Sequence, residues 1–296
     1  MARQYEFRPA KAAQRRMIVD SCRRLTAIAP LEKFQYVGFG ALEFIDFVEF
    51  HKGLGVTRMT SIEKDTSNQH RYEFNRPYSS IKLLMGDARD VLPEIDWSQL
   101  AIVWLDYTDV LNTDVLRDVD FVLRSCLAGS VVIVTVNGAT TGVPLPNRLQ
   151  NLKDSLGDRV SDSLTDADMT KSGPTREQRR ILHDLANSVV RQAHSGTFRQ
   201  LYNFEYADDA KMLTWGGIVC SPGFERIVDM CRFEDLPFVR SADEAFEIRV
   251  PMLTEREMSY LEAEIGGSAG LPAIKGIEKK DIKDFADVYR WRVGVK

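Results

Sequence analysis

Five short apolar segments in the first half of the chain constrain the fold most strongly. They read FQYV, RMTSI, IKLLM, AIVWL and VVIVTV, and segments of helix or loop length separate them. Continuous apolar runs of this kind are typical of strands buried on both faces of a mostly parallel sheet that helices cover. Residues up to about 137 are therefore predicted to form a doubly wound α/β unit.

The region after this unit differs in character. Residues 141–196 are polar and rich in Pro, Ser, Asp and Arg, which predicts an insertion that overhangs the sheet. Within it, Thr175 and Gln178 match a capping box ahead of a helix. The segment LYNFEYADDAKMLTWGGIVC then alternates around a polar turn, which predicts an antiparallel β-hairpin late in the sheet.

The chain is accordingly divided into three predicted parts. Residues 1–30 hold an amphipathic, basic helix, and residues 31–222 form the main domain with its insertion. Residues 223–296 form a small α/β accessory region, with a strand at FEIRVP, a capping box at Thr254 and Glu257, and a last helix near KKDIKDFADVYRW.

Charge limits the partners that the chain can attract. With 39 Lys and Arg against 43 Asp and Glu, the formal net charge is −4, so no global basic field draws it onto nucleic acid. Two local basic helices, in 8–25 and 176–199, keep a nucleic-acid partner open. We expect the basic face of the first helix to be solvated, with contact to phosphate groups as the alternative.

Features that the sequence lacks indicate the cellular compartment and limit the other partners of the protein. The four cysteines and four histidines show no metal-binding spacing, the N-terminal residues have no signal-peptide core, and no apolar run approaches the roughly 20 residues that span a bilayer. We expect a reduced, cytoplasmic protein without a membrane partner. A protein partner or a homo-oligomer stays open.

A glycine loop follows the first predicted strand in YVGFGALEF. Gly38 ends the strand and Gly40 precedes the helix, so the backbone can turn sharply beside a ligand. A dinucleotide fingerprint would place its third glycine at position 43, where this chain has Glu43. An acidic side chain there disfavours a pyrophosphate and makes an NAD-dependent enzyme the least favoured class.

The next three strands also end in polar residues. Glu63 closes the second strand, where a carboxylate can accept hydrogen bonds from both ribose hydroxyls; a plain surface acid is the alternative. Asp87 and Ala88 follow the third strand, and Asp106 follows the fourth. Because open α/β sheets bind ligands at the carboxyl edge of their strands, this convergence predicts a nucleoside site.

These motifs resemble those of the class I S-adenosylmethionine-dependent methyltransferases, over about residues 34–137. The layout is most similar to the catechol-type O-methyltransferases, in the segments VGFGALEF, SIEKD, GDARDVLP, AIVWLDYTDVL and VVIVTVNG. The resemblance implies a Rossmann-like methyltransferase fold that binds S-adenosylmethionine. It implies that Gly38 and Gly40 face the methionine end of the cofactor, Glu63 its ribose, and Asp87 with Ala88 its adenine.

The departures from the family pattern concern the catalytic end of the site. Asp106 and Asn137 match two of the family's metal ligands, but Val136 stands where a further Asp is expected. A divalent metal is therefore possible but not favoured. Asp109 stands where the family often has a basic residue. Asp106 or Asp109 can act as general base for a hydroxyl or amine acceptor, and Asp109 can alternatively cap the following helix.

Aromatic residues near the predicted site are the last group of candidate site residues. Phe39 and Tyr107 are expected to contact adenine or a planar acceptor, with Asp106 also close to the cofactor. Trp104 lies inside a strand and is expected in the core, and Trp215 is expected to pack the hairpin.

Three functions remain open from the sequence. The first is a methyltransferase that modifies oxygen or nitrogen of an unknown small or macromolecular acceptor. The second is a catalytically degenerate binding or regulatory subunit, which the absence of an Asp at position 136 and the acidic Asp109 motivate; the chain also faintly resembles bacterial methyltransferase-like proteins of defence-type gene clusters. The third is a nucleic-acid methyltransferase, although the Asp/Asn-Pro-Pro-Tyr pattern that grips a flipped base is replaced by DYTD.

Overall fold

Eight strands form one sheet in the computed structural model, which describes residues 8–138, 143–267 and 270–292. The strands are β1 (Phe34–Gly38), β2 (Arg58–Glu63), β3 (Ile81–Met85), β4 (Leu100–Val110), β5 (Val131–Asn137), β6 (Thr197–Ala207), β7 (Lys211–Cys220) and β8 (Phe246–Ile248). Their order across the sheet is β3-β2-β1-β4-β5-β7-β6-β8. Strand β7 is antiparallel to β5 and β6, and the other paired strands are parallel.

This topology confirms the predicted doubly wound α/β fold with a late hairpin. The five apolar segments became β1 to β5, and the alternating segment became β6 and β7. The strand predicted at FEIRVP is the short β8, which extends the same sheet beside β6. Strand β4 is longer than predicted because it continues past its buried residues to the exposed Val110.

The described part of the chain contains ten α-helices. They are α1 (Pro9–Cys22), α2 (Ile45–Leu54), α3 (Gln69–Asn75), α4 (Ala88–Val91), α5 (Thr113–Ser125), α6 (Leu145–Leu156), α7 (Gly173–His194), α8 (Glu225–Met230), α9 (Glu255–Glu264) and α10 (Lys279–Val288). None of the helices in these described ranges is both long and apolar enough to cross a membrane.

The helices cover the sheet on both faces. On one face, α1 and α2 pack over an aromatic cluster in which Tyr36 stacks on Phe50 with ring centroids 4.2 Å apart. On the other face, α5 and α7 cover a second, mainly aliphatic layer. Trp104 is fully buried, as predicted, and its indole N–H donates to Thr135 Oγ1 at 2.9 Å.

Helix α7 corrects the prediction of an overhanging insertion. It buries a continuous face from Pro174 to Val190 against the second layer, because it connects β5 to β6 and covers the sheet. Its predicted capping box is also wrong. The helix begins at Gly173, and the Thr175 hydroxyl donates to the Ser172 carbonyl at 3.0 Å and to Glu205.

The C-terminal residues are partly integrated with the main domain. Phe238 and Trp291 belong to the core beneath α1, whereas Met258, Leu261, Ile282 and Phe285 form a small separate cluster between α9 and α10. The capping box at Thr254 and Glu257 is confirmed. The division into three parts stays a prediction, and residues 1–7, 139–142, 268–269 and 293–296 of those parts lie outside the described residues.

One buried glutamine ties the hairpin to its surroundings. Gln200 Oε1 accepts hydrogen bonds from Trp215 Nε1 at 2.8 Å and from Arg179 Nη2 at 2.7 Å. Its amide donates to the carbonyls of Arg240 at 2.7 Å and Ala242 at 2.8 Å. Trp215 packs within the hairpin, as predicted. Its buried indole N–H is satisfied there because it donates to Gln200.

We expect Gln200→Ala to lower the free energy of unfolding by about 2 to 4 kcal/mol, because several buried donors and acceptors would lose their partner. Urea unfolding followed by circular dichroism measures the change. The matched control is Gln69→Ala on the exposed surface of α3, where we expect a change within about 0.5 kcal/mol. Equal losses in the two variants would contradict the role of the buried network.

Candidate functional site

The carboxyl ends of β1 to β5 meet at one edge of the sheet, as the sequence predicted. The glycine loop follows β1, Glu63 ends β2, and Asp87 lies just after β3. Asp106 and Tyr107 lie near the end of β4, and Asn137 ends β5. In the structure these residues form three groups. One group is buried against the glycine loop, a second lies on the exposed rim of the edge, and a third lines a cavity.

The glycine loop has no space for side chains at its two glycines. A Cβ at Gly40 would lie 2.6 Å from the Phe44 ring and 2.6 Å from Ser61 Oγ, and one at Gly38 would lie 2.8 Å from the Tyr36 hydroxyl oxygen. The loop continues through Ala41 at φ 50° before α2 begins. A side chain at position 38 or 40 would therefore collide with its neighbours, so this edge of the sheet requires glycine at both positions.

Glu63 is buried beneath this loop. Its Oε1 accepts from Gly40 N at 2.9 Å and from Ser61 Oγ at 2.6 Å. Burial raises the pKa of Glu63 from 4.5 to about 7, although these hydrogen bonds act in the opposite direction. The alternative of an exposed surface acid at this position is wrong, since only 5% of Glu63 is exposed.

Asp87 and Ala88 follow β3, at the rim of this edge. Lys64 Nζ lies 2.7 Å from Asp87 Oδ1, in an ion pair whose side chains are largely exposed. That hydrogen bond lowers the pKa of the Asp87 carboxyl. Ala88 is the first residue of α4 and is partly buried.

A cavity of about 260 Å³ lies between the glycine loop, the ends of β4 and β5, helix α1 and the β6–β7 turn. Of the predicted residues, it brings together Phe39, Gly40, Asp106 and Tyr107, with Asn137 beside them. Gly38, Glu63, Asp87, Ala88 and Asp109 are outside its lining. The roles predicted for all these residues stay predictions.

Helix α1 contributes two cations that the sequence analysis did not select. Lys11 Nζ lies 2.7 Å from Asp106 Oδ1 and 4.4 Å from the centroid of the Trp104 ring. Arg15, one turn further along, forms an ion pair with Asp46 of α2. Burial lowers the pKa of Lys11 below its ordinary 10.5, although the charge of Asp106 opposes this shift.

The expectation of a fully solvated basic face on this helix is therefore wrong for Lys11 and Arg15. The face defined by Met17, Ile18 and Cys22 is buried, as predicted, but the helix also packs across the sheet edge. The spacing of four residues between Lys11 and Arg15 places both on one side of a helix, and this was the available signal.

The turn between β6 and β7 holds the start of α1 in place. Asp208 accepts from the backbone N–H groups of Ala10 at 3.0 Å and Lys11 at 2.9 Å, and Arg8 pairs with Asp209 at 2.9 Å. A carboxylate at a helix N-terminus satisfies backbone donors that have no partner within the helix. The late hairpin thus positions Lys11 in the cavity.

Tyr107 and Phe39 form an aromatic wall of the cavity. Their rings meet edge to face with centroids 5.1 Å apart. The Tyr107 hydroxyl donates to Asp118 of α5 at 2.6 Å. Burial, and next the nearby charge of Asp118, raise the pKa of Tyr107 above 10. The hydrogen bond to Asp118 therefore holds the Tyr107 ring in place.

Asp109 lies on the exposed end of β4. Its charge contributes to raising the pKa of Lys64, after the larger effect of Asp87, so it belongs to the rim. It does not cap the following helix, because Asn112 has that role and accepts from Asp114 N and Val115 N at 3.0 Å each. The capping alternative for Asp109 is wrong.

The residues around Asp106 do not fit a divalent metal. The ammonium of Lys11 lies at hydrogen-bond distance from the carboxylate that would bind the ion, and a cation there repels a second one. In the described ranges, no three His, Cys, Asp or Glu side chains are grouped so that they could hold a metal. We therefore derive no chemistry through a metal.

Much of the basic charge that suggested nucleic-acid binding is already paired. In α7, Arg179 is buried and pairs with Asp243, while Arg180 pairs with Glu177 at 2.6 Å and Asp184 at 2.7 Å. These arginines bind neighbouring carboxylates of the chain itself.

The strand order, with β7 antiparallel beside β5, and the glycines and acids at the carboxyl edge of the sheet are those of the Rossmann-like fold of class I methyltransferases. The model of a family described as "Putative O-methyltransferase" matches residues 3–292. The chain belongs to this family. The resemblance that the strand-end motifs predicted is thereby confirmed.

Solved structures similar to the chain include several methyltransferases. Trm1 from Pyrococcus horikoshii, in complex with S-adenosyl-L-methionine, is 13% identical over 74% of this chain and 58% of that chain, with a TM-score of 0.48. The O-methyltransferase TomG from Streptomyces achromogenes, in complex with SAM, is 15% identical over 71% and 88%, with a TM-score of 0.39. No curated protein matches the chain.

The raised pKa of Glu63 predicts how stability depends on pH. Between pH 4.5 and about 7 the folded protein retains a proton that the unfolded chain has lost, so this contribution to stability is complete below pH 4.5 and disappears as the pH rises through about 7. Relative to Glu63→Gln, the wild type should lose up to about 3 kcal/mol of unfolding free energy over this range.

Urea unfolding of both proteins between about pH 4.5 and pH 8 measures this difference. The control Glu94→Gln, at an exposed position, should follow the pH profile of the wild type. A difference between wild type and Glu63→Gln that stays constant, or that grows in favour of the wild type with rising pH, would refute the assignment.

Proposed function

We propose that this protein is an active S-adenosylmethionine-dependent methyltransferase that modifies an oxygen or nitrogen atom of a small acceptor. The observation that carries the proposal is the buried Glu63 carboxylate beneath a loop whose Gly40 tolerates no Cβ, beside a cavity at the carboxyl edge. A carboxylate at this point of an open α/β sheet suits the two hydroxyls of a ribose.

The residues at the edge fit the other parts of the cofactor. Asp87 and Ala88 border the adenine side, and the backbone at Gly38 and Gly40 allows the methionine end to approach. Glu43 lines the cavity, and its charge disfavours the pyrophosphate of a dinucleotide. When bound, the cofactor supplies a methyl group on a positively charged sulfur.

The chain's own residues would orient the acceptor toward that methyl group. Methyl transfer depends mainly on the alignment of nucleophile, carbon and leaving group, which a confined cavity provides. Asp106 lies in this cavity with Lys11 beside it, so a charged site remains even though Val136 replaces an expected acid. This supports catalysis over a degenerate binding subunit.

The size and charge of the cavity support a small acceptor over nucleic acid. A volume of about 260 Å³ is slightly below the roughly 300 to 1,000 Å³ of typical small-molecule sites, so the cavity does not accommodate a bulky acceptor. Each cation in its lining is engaged with a carboxylate of the chain, Arg8 with Asp209, Lys11 with Asp106 and Arg15 with Asp46. A nucleic-acid acceptor would need cations that are available to its phosphates.

We expect the wild type to bind S-adenosylmethionine and S-adenosylhomocysteine in isothermal titration calorimetry. Glu63→Ala should weaken both at least tenfold, because about two hydrogen bonds to a carboxylate would be lost. The matched control Glu94→Ala should bind like the wild type.

Absence of binding by the wild type, or equal affinity in Glu63→Ala, would refute the cofactor site. Transfer of a radiolabelled methyl group to mixtures of small phenols and amines, compared with RNA and DNA, then distinguishes the acceptor classes. Transfer to nucleic acid alone would contradict the small acceptor.

A further inference from the structure

A second cavity lies at the same edge of the sheet as the candidate functional site. Its volume is about 350 Å³, and it lies between α6, the start of α7 and the ends of β4 and β5. Val110 and Gly138 line it, whereas Thr108 and Asn137, which precede them along the chain, line the first cavity. We call this second space the α6–α7 cavity. Among the described residues, the two cavities have no lining residue in common.

The wall of the α6–α7 cavity is mainly apolar and carries no net charge. Its apolar side chains are those of Val110, Leu111, Val143, Leu152, Met169 and Pro174. Of its described lining residues, only Arg148 and Asp154 are charged, with opposite signs. Arg148 donates to the carbonyls of Val143 at 2.9 Å and Met169 at 3.2 Å. The exposed Asp154 accepts from Gln150 at 2.7 Å. The wall therefore suits an uncharged ligand.

One buried polar atom in this wall lacks a partner. Gln178 of α7 lines the cavity, and only 2% of it is exposed. Its Nε2 donates to the carbonyl of Asn137 at 3.2 Å, which fixes the orientation of the amide because a carbonyl can only accept. The amide oxygen, Oε1, is buried and has no hydrogen-bond partner among the described residues.

The unpartnered oxygen indicates what the cavity binds. A buried acceptor without a donor costs free energy, so native proteins seldom leave such a group unsatisfied. A water molecule needs about two to four polar partners to be held, and a mainly apolar wall offers few. A molecule with an apolar body and one N–H or O–H group satisfies both the wall and the Gln178 oxygen.

We propose that the α6–α7 cavity is a binding site for a small, uncharged, mainly apolar molecule whose single N–H or O–H group donates to Gln178 Oε1. Its volume is near the lower end of the roughly 300 to 1,000 Å³ of small-molecule sites, which suits a ligand of about one or two rings. The site goes beyond the proposed methyltransferase function and does not depend on it, since none of the predicted cofactor residues lines this cavity.

Indole tests the proposal, because it is uncharged, apolar and carries one N–H donor. N-Methylindole has the same ring system without that donor, so the two compounds isolate the hydrogen bond to Gln178. Both are titrated into the full chain, and ligand-detected NMR spectroscopy measures their affinities. We expect the wild type to bind indole about tenfold more tightly than N-methylindole, because the methylated compound leaves the buried oxygen without a donor.

Variants locate the bound indole. Gln178→Met keeps the length of the side chain and removes the acceptor, so its affinities for the two compounds should lie within about twofold of each other. Ser155→Trp fills the cavity from its α6 wall and should abolish binding of both compounds. Gln150→Trp, on the exposed surface of α6 and outside the lining, is the matched control and should bind both like the wild type. Circular dichroism verifies that each variant is folded.

The proposal is refuted if the wild type binds neither compound or binds both equally, because Gln178 would then accept no hydrogen bond from a ligand. It is also refuted if Gln178→Met retains the preference for indole. Undiminished binding by Ser155→Trp would locate the indole elsewhere on the protein. If Gln178→Met does not fold, the two compounds tested on the wild type, Ser155→Trp and Gln150→Trp still decide the question.

Discussion

The ion pair between Lys11 and Asp106 joins the N-terminal helix to the edge of the sheet where the site is built. A buried pair of this kind gains little net stability, because the cost of removing both charges from water offsets their attraction. It does fix geometry, since a lysine at the start of α1 reaches a carboxylate only if the helix crosses the sheet edge. The cavity exists because α1 is held in that position.

The hairpin of β6 and β7 supports this arrangement from the opposite end of the chain. Its turn places Asp208 against the first backbone N–H groups of α1, and its core is tied to α7 and to the C-terminal residues through Gln200. A strand pair that looks peripheral in the sequence therefore contributes to one wall of the site. Gln200 also connects the C-terminal residues to this hairpin, through the carbonyls of Arg240 and Ala242.

Much of the fold could be predicted because its signals are local. Strands buried on both faces are continuously apolar, and the carboxyl ends of parallel strands must meet at one edge, so Gly40, Glu63 and Asp106 could be assigned to that edge from the sequence. The predictions for α7 were less accurate. Its polar flanks suggested a surface insertion, but its buried face is decided by packing against α5 and the sheet, and Thr175 binds Glu205, thirty positions away.

The sequence by itself determined the class of fold, the glycine loop and the series of acids at the strand ends, because burial patterns and topology rules act on neighbouring residues. Only the tertiary structure decided which acids reach the cavity and which lie on the rim, and that Lys11 meets Asp106 across 95 positions of the chain. Periodicity shows which face of a helix is buried. It does not show what that face contacts, and in this protein that contact supplies the charge of the site.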